Sequence, residues 1–136
     1  MDAERINPSE LARPSGFSHA VSVTVGRMVF LAGQVGMDRD GRVVSGGVVA
    51  QFEQALANLL TALAAAGGQP GDLVSLTIYI VDLADYQAHG EQIGAVWRRL
   101  VGTEYPATAG VGVTQLWDPG ALVELQGIAA IALSQP

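Results

Sequence analysis

The sequence predicts an α+β fold, a single mixed β-sheet with two helices packed on one of its faces. Three observations predict it. Short stretches of two-residue alternation or continuous apolar character flank two segments of helical spacing. Each helical segment links one strand to another, which places both helices against the sheet. Charged residues make up 15% of the chain, against about 25% in a typical globular domain, too few to solvate a second open face. The 136 residues amount to one domain, taken as residues 1–136.

Residues 1–18 read as an irregular arm, broken by Pro8, Pro14 and Gly16. A strand follows at about His19–Val25, and Gly26–Arg27 turns it into a second at Met28–Gln34. Asp38–Arg39–Asp40–Gly41 is a turn whose glycine tolerates positive φ, and Val43–Val44 suggests a short further strand. From Val48 to Ala66, Phe52, Leu56, Leu59 and Leu63 recur at helical steps, until Gly67–Gly68 stops the helix. Leu73–Val81 is rich in β-branched residues and reads as a strand. A second helix fits Asp85–Val101, with Ile93, Val96, Trp97, Leu100 and Val101 on one face and Asp82 or Asp85 as its cap. After Pro106 come strands at Ala107–Gln115 and Leu122–Leu133, joined by a turn at Asp118–Pro119–Gly120. The order is β-β-(β)-α-β-α-β-β. The uncovered sheet face lacks charge, so it is expected to pack against further copies of the chain.

The same composition excludes several chemistries. With 7 basic and 13 acidic residues the net charge is -6, which opposes nucleic acid as a partner. Every cation is an arginine, so lysine Schiff-base chemistry is excluded. The absence of cysteine excludes thiolate catalysis, disulfides and cysteine-ligated metals. The two histidines, His19 and His89, stand in no metal-binding spacing, and no metal or organic cofactor is expected. Asp38-x-Asp40–Gly41 lacks the later ligands of a calcium loop, Gly110-x-Gly112 precedes no helix as a dinucleotide turn would, and no serine has a G-x-S-x-G context. No apolar run reaches the ~18 residues of a membrane span, and Met1–Arg5 does not open a signal peptide. A soluble cytoplasmic protein without a membrane partner is expected.

The last two strands carry the most chemistry. Alternation puts Ala107, Ala109, Val111, Val113 and Gln115 on one face, and Thr108, Gly110, Gly112 and Thr114 on the other. Glycines at a strand centre suit close approach by a ligand or another backbone. Glu124 and Gln126 share a face of the final strand, followed by Ile128, Ala130 and Ala132. A carboxylate and an amide on so apolar a strand either lie exposed near its end or find partners in a pocket or subunit interface. His19, opening a strand after Gly16–Phe17–Ser18, reads as a site residue or a strand-edge residue. Arg98 and Arg99 fall at the end of the second helix, where cations cap it.

Ile6–Asn7–Pro8, Pro14-x-Gly16–Phe17–Ser18–His19–Ala20–Val21 and Val29–Phe30–Leu31–Ala32–Gly33–Gln34–Val35–Gly36 resemble the opening of the RidA/YjgF family of reactive-intermediate deaminases. The likeness continues through Gln54–Ala55–Leu56-x-Asn58–Leu59, Ala66–Gly67, Tyr79-x-x-Asp82, Tyr105–Pro106–Ala107 and Leu122–Val123–Glu124–Leu125. The resemblance implies a chorismate-mutase-like fold and a homotrimer with a small-molecule pocket at each subunit interface. It also implies hydrolysis of reactive imines or enamines to carbonyl compounds and ammonia, without a cofactor. In such a site an arginine clamps the substrate carboxylate, while a glutamate and backbone groups position water.

Carried over by resemblance, the glutamate is Glu124, but the arginine's position holds Thr108. The family's cysteine two residues on is Gly110, its N-terminal tyrosine is Phe17, the serine of its S-G-Q motif is Ala32, and its helix asparagine falls near Gly90 or Glu91. The implied substrate-binding set is Phe17, His19, Ala32, Thr108, Gly110, Trp117 and Gln126. In it, Phe17 and Trp117 form walls, and Gln126 or Thr108 hydrogen-bonds the substrate. A pocket without the arginine is roomier and less cationic, which suits an uncharged or larger ligand better than a small 2-imino acid. Two functions follow: a deaminase of altered substrate range, or a non-catalytic trimer that binds a metabolite or a protein. The charge of -6 opposes the RNA cleavage attributed to some relatives.

Overall fold

The helical face read from Phe52, Leu56, Leu59 and Leu63 is the centre of the core. These four side chains of α1 (Gly47–Ala65) are fully buried, because they seat the helix on a four-stranded mixed sheet. A computed structural model describes residues 3–24 and 26–133. The expected strand end at Val25, the first two residues of the N-terminal arm and residues 134–136 lie outside them. The sheet runs in the order β3 (Arg27–Val35), β6 (Val123–Ile131), β4 (Leu73–Ile80), β5 (Ala107–Gly112). The β3–β6 and β6–β4 pairs are antiparallel and β4–β5 is parallel. Along β6, Val123, Leu125, Gly127 and Ala129 are buried against the helix layer, while Glu124, Gln126 and Ile128 face outward. The α+β architecture with one main mixed sheet is therefore as expected, and its outer face is uncovered: Phe30 is 75% exposed and Met28 51%.

Five details differ from the sequence reading. The arm contains a strand, β1 (Ala3–Ile6), paired antiparallel with β2 (Ala20–Val23) in a separate two-stranded ribbon. Four residues are too few for a period to show; Arg5 ties the strand to the domain, donating to Tyr105 O at 3.3 Å and Gly71 O at 3.2 Å. Val43 makes only an isolated bridge to Met37 and no strand. The second helix is two: α2 (Leu83–Ala88), capped by Asp82, whose Oδ1 accepts from Asp85 N at 3.0 Å, and α3 (Gly90–Leu100). The break falls at His89, where Gly90 weakens helix propagation. β5 stops at Gly112 rather than Gln115, because its parallel partner β4 ends at Ile80 before the Asp82 cap. β6 ends at Ile131, the residue opposite the first residue of β3.

By length and composition α1 passes for a membrane span, yet it is interrupted by Gln51, Glu53, Gln54 and Asn58 and its apolar face is the core. Two of these amides act structurally. Asn58 Nδ2 donates to Val35 O at 3.2 Å and Met37 O at 2.9 Å, fixing the end of β3. Gln51 is 5% exposed; its Nε2 donates to Gly120 O at 3.1 Å and its Oε1 accepts from Leu122 N at 2.7 Å, fixing the entry to β6. A Gln51→Leu variant keeps the volume but strands both backbone groups. Urea unfolding should show a loss of about 2–3 kcal/mol, the scale of buried groups left unpaired, and unchanged stability would remove the clamp.

Candidate functional site

On the uncovered face, β4 and β6 bring together the polar residues that alternation predicts. Tyr79 stands opposite Glu124 and Thr77 opposite Gln126, and Tyr79 donates its hydroxyl to Gln126 Oε1 at 3.0 Å. On the other side of Glu124, β3 carries a bulge: Leu31 pairs with Gly127 and Gln34 with Leu125, so that Ala32 and Gly33 together stand against the single residue Gln126. A Cβ on Gly33 would overlap the Glu124 carboxylate, so glycine there makes the carboxylate's seat. Glu124 is half-buried and makes no hydrogen bond or ion pair among the described residues. Its lone pairs are free for water.

A second groove lies at the β5 edge, lined by Phe17, His19, Ser75, Thr77, Ala107 and Thr108 among others. The rings of Phe17 and His19 meet edge to face at 5.1 Å. His19 is already engaged: its Nε2 donates to Ala12 O at 2.8 Å, and its backbone N–H donates to Asn7 Oδ1 at 2.7 Å. Buried Ser18 staples this loop to the start of β5, its N–H donating to Pro106 O at 3.1 Å and its Oγ to Tyr105 O at 2.7 Å. Ser75 and Thr77 also border the hollow beside Phe30 and Gln126, so a polar stripe crosses β4 from one groove to the other.

Behind β5, on the helix side, is a cavity of about 310 Å³. Phe52, Leu76, Ile78, Ile93 and Trp97 supply its apolar walls, and Thr108 links it to the Phe17 groove. Trp97 stacks on Tyr105 at 6.3 Å, and its indole N–H is buried without an acceptor among the described residues. Tyr86, edge-on to Phe52 at 6.2 Å, has its phenol pushed up to about 12 by burial. Arg98 and Arg99 lie in the last turn of α3, as expected, but among the described residues their side chains make no hydrogen bond to its final carbonyls. Arg99 pairs with Glu53 at 2.7 Å, and Arg98 lines this cavity.

The family profile described as Endoribonuclease L-PSP matches residues 8–131. The chain belongs to the RidA/YjgF family. Protein DfrA of Myxococcus xanthus is 38% identical over 114 residues, 83% of each chain. A 2-iminobutanoate/2-iminopropanoate deaminase of Capra hircus is 34% identical over 112 residues, 82% of this chain and 78% of that one. Among solved structures, the Rid-family protein YyfB of Yersinia pestis superposes with a TM-score of 0.83 at 38% identity, covering 96% of this chain and 100% of the other. YjgF of E. coli gives 0.68 at 29% identity, covering 84% and 87%.

In this RidA/YjgF chain the sequence-predicted residues divide between places. Glu124, Gln126 and Ala32 belong to the uncovered face. Phe17, His19 and Thr108 belong to the edge groove, with Gly110 two residues further along β5. Thr108 stands opposite Leu76, on the helix side of the sheet, so Thr108 and Glu124 lie on opposite sheet faces of one chain. Trp117, 92% exposed, lies in the β5–β6 loop beside Val81 and Leu122. Within one chain it does not wall the same pocket as Phe17, because Gln51 holds that loop at the far end of the sheet. Sequence reasoning did not single out Ser18, Tyr79 or Tyr86 as contributors. Tyr79 was legible in principle, since it alternates with Thr77 and Ser75.

The Tyr86 shift sets a pH dependence. An unfolded chain ionises this phenol near pH ~10 and the folded chain near pH 12. The stability tied to its neutral form is complete below pH ~10 and is lost as pH rises towards 12. Denaturant unfolding between pH 8 and 12 should fall more steeply for the wild type than for Tyr86→Phe; parallel curves would count against a buried phenol.

Proposed function

We propose that the protein hydrolyses reactive imines or enamines to carbonyl compounds and ammonia, with a substrate range that does not depend on an arginine at position 108. The observation that carries this reading is the Glu124 carboxylate, half-buried over Gly33, unpaired among the described residues and next to the amide of Gln126 that Tyr79 orients. Glu124 holds a water and takes its proton as the oxygen bonds to the C=N carbon. The proton passes to nitrogen to give a carbinolamine; Glu124 then carries the hydroxyl proton to the amine as the C–N bond breaks, so that ammonia leaves as the carbonyl forms. Orientation and general acid–base transfer suffice for this step. The relatives named as 2-iminobutanoate/2-iminopropanoate deaminases support it.

The reading includes a homotrimer. Exposed Phe30 and Met28 on the uncovered face support association, and so does the separation of Thr108 from Glu124 across the sheet. A partner chain brings its Glu124 face against the Phe17–Thr108 edge, so that each small-molecule pocket lies between two subunits. We read residues 1–136 as one domain of a soluble, cytoplasmic enzyme that needs no cofactor. Thr108 in the arginine's position favours a second reading, a non-catalytic trimer that binds a metabolite or a protein.

One experiment decides between them. An amino-acid oxidase generates imines in situ, and semicarbazide reacts with them faster than with the carbonyl compounds that hydrolysis yields. Adding the protein should lower the initial rate of semicarbazone formation for at least one amino acid, and Glu124→Gln should reduce that effect about 100-fold, within the range for lost acid–base groups. Thr108→Arg should extend the activity to small 2-imino acids. No effect with any amino acid would leave the binding reading. For the assembly, sedimentation should give a species three times 14.1 kDa, and a monomer at micromolar concentration would rule out the interface pocket.

A further inference from the structure

We propose that the cavity behind β5 receives the apolar or aromatic body of a carboxylate ligand, with the Arg98 guanidinium at its mouth binding the carboxylate. The inference rests on the proposed deaminase only in taking this ligand as the substrate of the same site. It begins with space. Thr108 on β5 and Gly90 and Gly94 on α3 put little bulk into the space between strand and helix. The remaining volume, about 310 Å³, is roughly twice the ~150 Å³ of a dry cavity that accepts benzene. It has room for a ring and a short side chain. Its walls are largely aromatic and aliphatic, as in most small-molecule sites, and no acidic residue is among them.

Arg98 supplies the charge. It sits one helical turn after Gly94, and its guanidinium lies back over that glycine: a Cβ at Gly94 would stand 3.2 Å from Arg98 Nη1. Glycine in the middle of α3 costs helix stability, about 1 kcal/mol relative to alanine, and here it leaves the path along which the arginine folds towards the cavity. Arg98 makes no ion pair or hydrogen bond among the described residues, whereas its neighbour Arg99 is held by Glu53 at 2.7 Å. A weakly hydrated, planar guanidinium beside an apolar hollow suits bidentate capture of a carboxylate.

Two neutral donors complement it. The Tyr86 hydroxyl has no partner among the described residues, and burial keeps it protonated up to a pKa of about 12, so it donates to an anion and cannot repel one. The Trp97 indole N–H is buried without an acceptor. A small anion alone would leave the apolar walls unused, and a hydrocarbon would leave the arginine unpaired. An amphipathic acid satisfies both. Through Thr108, which borders both spaces, the ligand's reacting carbon extends into the edge groove.

Calorimetric titration tests this with three probes: phenylpyruvate, pyruvate and benzyl alcohol. Phenylpyruvate should bind at least 10-fold more tightly than either of the others. Arg98→Gln, a change at an exposed position, should weaken phenylpyruvate at least 10-fold, leave benzyl alcohol unchanged, and be partly rescued by Arg98→Lys. The same titration on Glu124→Gln separates binding from turnover. Phenylpyruvate binding no tighter than pyruvate or benzyl alcohol, or indifferent to Arg98→Gln, overturns the inference whatever the imine assay gives. Arg98-dependent binding without any imine hydrolysis upholds the site and overturns the deaminase reading instead.

Discussion

The seating of α1 on the sheet is the constraint on which the other features depend. Its apolar face is ordinary core, but the helix also carries Asn58 and Gln51, which hold the ends of β3 and β6 by their backbones. These amides are stringent in a way leucines are not: a hydrophobic contact tolerates sliding, whereas an amide bonded to two backbone groups does not. With both strand ends pinned, the β3–β6 register is set, and with it the bulge that brings Gly33 beneath Glu124. The position of one carboxylate is thus decided by side chains on the far side of the sheet.

Charge is scarce in this molecule, and where it occurs it is mostly assigned. Arg5 fastens the N-terminal ribbon through two carbonyls and Glu104, Arg27 bonds the C-terminal end of α1 at Ala66 O, and Arg99 pairs with Glu53. Exposed pairs of this kind add little stability each, but they fix where segments lie. Glu124 and Arg98 are among the charged groups that make no such bond among the described residues, Glu124 seated over Gly33 and Arg98 at the cavity behind β5.

Much of the fold was legible because local periodicity was enough. The four-three-four spacing of α1 and the alternation of Glu124 and Gln126 within β6 each describe one element by itself. So does the small-residue face of β5. What was not legible depends on pairing at a distance. β1 has four residues; it pairs with β2 and is tied to the domain by Arg5, which reaches carbonyls at positions 71 and 105. The helix break at His89 needed the joint effect of Gly90 and an Asp82 cap upstream. The bulge at Ala32–Gly33 has no local signature, since either strand alone reads as regular. Arg98 and Arg99 are neighbours of the same type at a helix end, and only the glycine one turn before Arg98 distinguishes them.

The strand alternation that puts position 108 on one face of the sheet and position 124 on the other has an evolutionary consequence. The two residues share no contact and no hydrogen-bonding partner within a chain, so substitutions at them are expected to act independently on the fold. A lineage built on this scaffold is then free to explore recognition along β5 and α3, exchanging an arginine for a threonine or opening a hollow with glycines, while the β3–β6 bulge keeps its carboxylate where it was. Variation along β5 and constancy in the seat of the carboxylate can coexist because a β-sheet has two sides.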